Sequence, residues 1–217
     1  MDAGAERVTL VTRGGQILGH NSALHALIWL WCHAGPNDSE KLGIAVPVTA
    51  SNIVERIAGE CGRTVVRTGT SRRALSTAAL RPDIGLAGSR RGGFVFPQFL
   101  AAYDAVMTLG MLLRMLDHQQ TTLDEVVATL PPYFLRDRAV FCPFDRKGAV
   151  MRTMAALSPG GDMVEGVRIE ADGGWAHVLP HATEALVHVF TEGENAASAD
   201  ALLERYVAEV ERAIEAG

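Results

Sequence analysis

The sequence predicts an α/β fold: a layered α/β domain followed by a small α+β domain with a mostly antiparallel sheet. Up to about residue 130, stretches of helical periodicity alternate with short apolar runs, which is typical of helices layered on a sheet. Beyond Pro131 and Pro132, three β segments follow one another across short turns, which indicates antiparallel pairing. We therefore expect two domains.

The first half begins with an amphipathic helix, because apolar residues recur at helical spacing from Leu24 to Trp31 and Asn21 or Ser22 can open it. The apolar run Leu42–Val48 predicts a strand that is covered on both faces. The elements expected after it are a helix capped by Ser51, a strand at 64–67, a helix from Ser71 to Leu80, strands at 84–87 and 93–96, and helices at about 101–118 and 121–130.

The second half is expected to combine four strands with two helices. The turn Asp172-Gly173-Gly174 is a strong hairpin signal between the second and third of these strands. The expected elements are a strand at 139–142, a helix capped by Asp145, strands at 164–171, 174–179 and 186–191, and a final helix capped by Ser198.

Composition excludes several classes of protein. The net charge of −5 with mixed signs argues against a nucleic-acid binder. No apolar run reaches the roughly 18 residues that span a bilayer, and the first residues do not resemble a signal peptide. Cys32, Cys61 and Cys142 are widely spaced without a CxxC, so we interpret them as buried thiols of a cytoplasmic protein rather than a disulfide or zinc framework.

Two features could bind an anion. Arg72-Arg73 and Arg90-Arg91 are basic pairs that each follow a predicted strand, where ligands of open α/β sheets collect and where arginine suits phosphate. The polar loop Pro180–Ala185 lies between two strands and could contact an anion through backbone N–H groups. Solvated arginines and a plain connecting loop are the simpler alternatives. No motif of nucleophilic, zinc or nucleotide chemistry stands in a convincing context.

Several stretches, in order along the chain, resemble the last two domains of the phosphoglucomutase/phosphomannomutase (α-D-phosphohexomutase) superfamily. They are Asp2-Ala3-Gly4-Ala5-Glu6-Arg7 for its DGDxDR metal loop, Pro47–Ser51 and Arg67-Thr68 in its third domain, Ala87–Gly92 for its GGExSG sugar loop, Asp104 before a long helix, and Trp175–Phe190 for the strand and RPSGTEP phosphate loop. The resemblance implies residues 1–18 as a remnant closing hairpin of the preceding domain, 19–137 as the α/β third domain and 138–217 as the α+β C-terminal domain.

A narrower resemblance is to the degenerate mutase-like half of mannose-1-phosphate guanylyltransferase fusion proteins. The stretches Gly4–Val8 and Leu179–His188 are similar to that subgroup's DxxGERL and LPDAGEPLVH patterns. This resemblance implies a role in GDP-mannose metabolism, with a nucleotidyltransferase domain as partner in the same or another chain.

The departures from the family pattern decide what the resemblance implies about activity. The family uses a phosphoserine from its first domain, Mg²⁺ and a phosphate clamp. Here Asp2 is retained, but Gly4 and Glu6 stand at the other metal-loop positions. The remaining replacements are Leu179 for arginine, His181 for serine and Ala182 for glycine in the phosphate loop, and Ser89 for glutamate and Arg91 for serine in the sugar loop.

We expect no catalytic residue in this chain, although whether it is an enzyme stays open. Asp2 and Glu6 would be a degenerate metal site without function; Mg²⁺ is the family's cofactor, and none is expected here. The residues implied for binding a sugar phosphate such as mannose 1-phosphate are Arg72, Arg73, Ser89, Arg90, Arg91, His181, Thr183 and Glu184.

Three hypotheses follow. The first is a mutase-like module without mutase activity, associated with a mannose-1-phosphate guanylyltransferase. The second is the substrate-binding half of a split phosphomannomutase whose missing domains lie in another chain, which would also pair the open edge left by residues 1–18. The third is an oligomerisation module, such as one that forms a homo-oligomer, without any ligand. None of the three involves nucleic acid or a membrane.

Overall fold

A computed structural model describes residues 1–34, 42–159 and 164–216. The chain divides into two compact units, Met1–Pro131 and Pro132–Gly217, and each unit contains its own four-stranded sheet. The α/β fold class is confirmed. Within the described ranges, none of the helices has the length and apolar character to cross a bilayer.

The first unit is a layered α/β structure. Its sheet has the order β2-β1-β3-β4, in which β1 runs parallel to β2 and β3 and β4 is antiparallel to β3. Every residue of β1 and β3 is buried, as the apolar runs predicted. The elements are α1 (His20–Ala34), β1 (Gly43–Pro47), α2 (Ile53–Glu60), β2 (Val65–Thr68), α3 (Arg72–Ala79), β3 (Ile84–Gly88), β4 (Phe94–Val95), α4 (Ala105–His118) and α5 (Leu123–Thr129).

Side-chain hydrogen bonds set the starts of α3 and α4 in this unit. The Ser71 side chain accepts from the backbone N–H of Ala74, which confirms the predicted cap of α3. Helix α4 begins at Ala105 rather than at about residue 101, because the Asp104 carboxylate accepts from Met107 N at 2.8 Å and fixes the first turn there. These caps hold the loops on which the candidate site is built.

Residues 10–18 form a tight hairpin. Leu18 N donates to Leu10 O at 2.9 Å, and both of these leucines are buried. At the tip, Arg13 N donates to the Asp124 carboxylate at the start of α5 (2.9 Å). The assignment of residues 1–18 to a preceding domain stays a prediction, as do the boundaries 19–137 and 138–217.

The second unit is an α+β structure with an entirely antiparallel sheet in the order β5-β8-β7-β6. The predicted hairpin is present between β6 and β7, where Gly173 adopts a φ of +78° that other residues rarely take. The elements are β5 (Phe134–Phe141), α6 (Lys147–Ala156), β6 (Val167–Ala171), β7 (Gly174–Pro180), β8 (Leu186–Gly193) and α7 (Ala196–Ala216).

Two predicted caps in the second unit differ in detail. Asn195, not Ser198, opens α7: its side-chain oxygen accepts from Ser198 N at 2.9 Å, and the Ser198 hydroxyl accepts from Asn195 N in return. Helix α6 begins at Lys147 after Arg146, without a side-chain cap from Asp145. Both helices pack on the sheet through one apolar cluster that includes Val150, Met154, Leu203 and Val210.

Candidate functional site

The N-terminal loop, residues 2–7, is held by one carboxylate. Asp2 Oδ1 accepts from Glu6 N at 2.9 Å and from Arg7 N at 3.1 Å. These two backbone hydrogen bonds hold the pKa of the Asp2 carboxyl below its usual value, because they stabilise the charged form. Ala5 takes a positive φ of 51° inside this turn. The carboxylate therefore closes the loop onto itself.

The N-terminal loop lies against the glycine loop, residues 88–93. Val8 N donates to Gly92 O at 2.9 Å, and Arg7 pairs with Gly93 in an antiparallel bridge. A side chain at Gly92 would come within 2.3 Å of Val8 O, and the φ of this glycine is +79°. Only glycine permits this approach of two backbones. The structure thus brings together the two loops that sequence analysis assigned to metal and sugar.

Glu6, the second predicted metal ligand, forms an ion pair with Arg72. Glu6 Oε2 lies 2.5 Å from Arg72 Nη1, and both side chains are partly exposed. Magnesium needs near-ideal octahedral oxygen coordination. One oxygen of Asp2 already accepts from two N–H groups, Gly4 has no side chain, and the guanidinium beside Glu6 opposes a second positive charge. This donor set does not fit Mg²⁺, and within the described residues no cluster of three His, Cys, Asp or Glu side chains could hold a metal.

Ser89 organises the glycine loop internally. It is 7% exposed, and its hydroxyl accepts from Arg91 N at 3.3 Å and Gly93 N at 3.2 Å. Tyr103 is a further hydrogen-bonding neighbour, and burial raises the pKa of its phenol. Ser89 is therefore a structural residue of the loop more than a ligand for a sugar hydroxyl.

The two arginines that follow Ser89 differ in their surroundings. Arg90 is partly buried, and its guanidinium donates to Asn21 Oδ1 at 3.0 Å and approaches Thr49 O at 3.5 Å. Arg91 is exposed at the tip of the loop. Arg90 would have to break these contacts to bind a ligand. Arg91 is therefore the residue of this pair that is better placed to contact one.

Arg73 belongs to a different surface from Arg72. It lines a shallow groove of about 490 Å³ along β2 and α3, together with Ser71, Thr77 and Arg81. Arg81 is paired with Asp83 at 2.7 Å. The two neighbouring arginines are therefore not a single anion clamp.

In the second unit, the β7–β8 loop (residues 181–185) is folded around its own hydrogen bonds. Glu184 N donates to the ring atom Nδ1 of His181 at 3.0 Å, and His181 N donates to Leu186 O at 2.9 Å. Thr183 and Glu184 are exposed. An anion-binding loop of this kind would direct N–H groups at its ligand, whereas here two of them are bonded within the loop and its strand.

The inner side of this loop faces a cation. Lys147 Nζ donates to His181 O and to Glu184 O, each at 2.5 Å, and lies 4.4 Å from the centre of the Phe144 ring. The ammonium group therefore orders the loop from inside by holding two of its backbone carbonyl oxygens.

The predicted site residues thus fall into separate groups. Asp2, Glu6, Arg72 and Ser89 belong to one cluster, Arg73 lies in the groove beside β2, and His181, Thr183 and Glu184 lie in the second unit. Sequence reasoning missed Tyr103, which directly precedes Asp104, and Lys147, which no local pattern links to a loop 34 residues away.

A partly parallel sheet that ends in loops rich in glycine and arginine defines an α/β domain of the kind that receives anionic ligands at its strand ends. Residues 21–134 match the phosphoglucomutase/phosphomannomutase α/β/α domain III. Because this match covers more than half of the chain, the chain belongs to the phosphoglucomutase/phosphomannomutase family.

Relatives extend the likeness over nearly the whole chain. A probable phosphoglucosamine mutase of Methanopyrus kandleri is 29% identical over an alignment of 218 positions that covers 99% of this chain and 47% of that protein. The chain spans about half the length of the curated relatives it matches.

Solved structures agree in fold. A phosphoglucomutase/phosphomannomutase family protein of Burkholderia thailandensis superposes with a TM-score of 0.74 at 20% identity, covering 98% of this chain and 44% of that one. Aspergillus fumigatus N-acetylphosphoglucosamine mutase, solved with GlcNAc-6P and magnesium, gives 0.70 at 21% identity, covering 99% and 48%. At these identities the likeness shows the fold.

Proposed function

We propose that this chain is a phosphohexomutase-type module of cytoplasmic hexose-phosphate and sugar-nucleotide metabolism that does not itself transfer a phosphoryl group. We further propose that it works beside a mannose-1-phosphate guanylyltransferase. The three free cysteines support the cytoplasmic location, since reduced thiols are the rule there.

The observation that carries the proposal is the position of Lys147. Its ammonium group fills the inner side of the β7–β8 loop and is held by His181 O and Glu184 O. The lysine holds these two carbonyl oxygens inward, and the N–H groups of the same two residues already donate to Leu186 O and His181 Nδ1. A loop whose N–H groups are engaged within the protein offers fewer donors for the phosphate clamp that phosphoryl transfer needs.

The N-terminal loop supports the same conclusion. Phosphoryl transfer relies on a divalent cation to neutralise developing charge. The Glu6–Arg72 pair places a guanidinium where such an ion would need an anionic neighbour. We infer that the Glu6–Arg72 pair replaces the cation structurally, since it ties the N-terminal loop to the start of α3.

Residual recognition of a sugar phosphate would centre on Arg91. Its side chain is exposed on the glycine loop, and the loop backbone beneath it is fixed by Ser89. Arg73 and Thr183 are exposed as well, whereas Arg72, Arg90, His181 and Glu184 make contacts within the protein through side chain or backbone. A mannose 1-phosphate or a similar ligand is the class we propose.

The proposal is tested by a mutase assay on the chain alone. With mannose 1-phosphate, glucose 1,6-bisphosphate and Mg²⁺, we expect no formation of the 6-phosphate. Turnover by the purified chain would refute the absence of mutase activity. Co-purification with a guanylyltransferase tests the association separately. The association would be contradicted if the stability and activity of the guanylyltransferase were the same with and without this chain.

Calorimetry with mannose 1-phosphate tests residual binding. Arg91→Ala should weaken binding about tenfold, because one charge-assisted contact of roughly 1.5 kcal/mol is removed. Arg114→Ala, at an exposed arginine of α4, is the matched control. Equal affinity of the wild type and both variants for mannose 1-phosphate would show that the glycine loop does not bind this ligand. If no heat of binding is measured at millimolar ligand, an oligomerisation or scaffold role is the remaining hypothesis.

The second candidate is the substrate-binding half of a split phosphomannomutase. The alignment of 99% of this chain with half of a probable mutase favours it. Adding the missing domains of such a mutase as a second chain should then produce turnover that depends on both chains. If the two chains together show no turnover, the split-enzyme hypothesis is refuted and the non-catalytic module is retained.

A further inference from the structure

Two of the three cysteines meet where α1 and α2 end. Cys32 lies in the last turn of α1 and is buried, whereas Cys61 follows α2 and is only partly buried. Sequence analysis took all three cysteines as buried, and the structure corrects this for Cys61. Burial raises the pKa of Cys32 to about 12, and the neighbouring Cys61 thiol adds to the rise.

A histidine with a defined tautomer stands beside Cys61. The backbone carbonyl of Trp29 can only accept, so His33 Nδ1, at 2.8 Å from that oxygen, carries the proton. Stacking on the Trp29 ring, with centroids 4.0 Å apart, fixes the imidazole plane. The unprotonated Nε2 then lies 3.9 Å from Cys61 Sγ. This atom can accept the thiol proton.

The charges around the pair are mixed. The Arg63 guanidinium, which donates to Leu42 O at 3.0 Å, favours a thiolate nearby, whereas Glu60 opposes one. By contrast, Cys142 of the second unit is buried, and its thiol donates to Pro143 O at 3.6 Å. A part-exposed thiol with a base on one side and a second thiol on the other is the usual arrangement of a redox-active cysteine.

We propose that Cys61 and Cys32 form a peroxide-reactive dithiol in which Cys61 is the nucleophile and Cys32 resolves the oxidised product. His33 Nε2 takes the Cys61 proton, and the thiolate attacks one oxygen of a hydroperoxide. The O–O bond breaks, Cys61 becomes a sulfenic acid, and the alkoxide or hydroxide leaving group takes the proton from His33. The sulfur is oxidised by two electrons and the peroxide is reduced.

The second step closes a disulfide. Cys32 Sγ attacks the Cys61 sulfur, the S–O bond breaks, and hydroxide leaves with the Cys32 proton as water. The sum is two thiols and one hydroperoxide giving one disulfide, one alcohol or water, and one further water. The new bond would join the C-terminal ends of α1 and α2, and a thiol reductant would reverse it. This dithiol is independent of the proposed function.

The test is peptide mapping of the full chain after one equivalent of hydrogen peroxide, with remaining thiols alkylated before digestion. We expect a Cys32–Cys61 cross-linked peptide that dithiothreitol removes, while Cys142 stays reduced. Cys32→Ser should instead accumulate a sulfenic acid at Cys61 that dimedone labels. Cys61 oxidised in the wild type with Cys32 still alkylatable, or oxidation that falls first on Cys142, would overturn the proposal.

The role of His33 has its own measurement. His33→Phe keeps a ring that can stack on Trp29 but removes the base, so alkylation of Cys61 near pH 7 should slow several-fold, because the thiol loses the neighbouring atom that accepts its proton. The rate at Cys142 in the same sample, together with an unchanged circular dichroism spectrum, controls for folding. An unaltered rate at Cys61 contradicts the assignment of His33.

Discussion

Lys147→Met tests whether the lysine holds the β7–β8 loop together. Methionine keeps the apolar stem but loses the two hydrogen bonds from the ammonium group to His181 O and Glu184 O. Charge-assisted hydrogen bonds contribute about 1.5–3 kcal/mol each when shielded. Lys147 is only half-buried and the loop is exposed, so water can replace part of each bond. We therefore expect the free energy of unfolding of the second unit to fall by about 1–2 kcal/mol.

Calorimetry measures this change in the full chain. For a unit of this size, about 1 kcal/mol moves the unfolding temperature by roughly 4–8 °C, so a loss of about 1–2 kcal/mol should lower the transition of the second unit by about 4–16 °C. Hydrogen exchange of peptides from β7 and β8 assigns the transition. Arg152→Met, at an exposed cation on the same helix, is the matched control; it should cost less than about 0.5 kcal/mol and shift the transition by less than about 4 °C. Equal shifts in the two variants would refute the reasoning.

Two further predictions concern the first unit. Burial, with a smaller contribution from the Arg90 charge, lowers the pKa of His25 to about 4, so between roughly pH 6.5 and 4 the unfolded chain binds a proton that the folded chain does not. The free energy of unfolding should therefore fall by up to about 3 kcal/mol as the pH drops through this window. In urea unfolding, His25→Leu should reduce this dependence of the free energy of unfolding on pH. An equal pH dependence in the variant and the wild type would contradict the assignment. Arg67→Lys should lower the free energy of unfolding by about 1–3 kcal/mol in the same assay, because the guanidinium pairs with both Glu55 oxygens (2.8 and 2.7 Å) and a single ammonium cannot. The control is Arg56→Lys, at an exposed position of α2. A loss at Arg67 no greater than the loss at Arg56 would contradict the prediction.

The elements of the fold could be predicted because they depend on local patterns. The apolar run at β1 required a strand covered on both faces, and Ser71 supplied a cap that the structure confirms. The observed start of a helix differs from the predicted start where a polar side chain at another position caps the first turn, as Asp104 does for α4. Such shifts depend on which carboxylate or hydroxyl reaches a free N–H, and several candidates lie next to one another in the sequence.

The site was less predictable, since its contacts join distant residues. The resemblance located the loops, but it could not indicate that Arg72 pairs with Glu6, 66 positions away, or that Lys147 enters the β7–β8 loop. The thiol pair illustrates the same limit. The spacing of Cys32 and Cys61 matches no linear motif, and only the packing of α1 on α2 makes them neighbours.

The strand order of the second unit has a consequence during synthesis. Strand β5 is an edge strand whose ladder partner is β8, and β8 emerges from the ribosome about 45 residues later. Until then the nascent chain carries β5 with its backbone groups unpaired, while β6 and β7 can already close their hairpin. This interval is when the chain is most exposed to wrong pairing with other polypeptides, and a chaperone that shields β5 would act there.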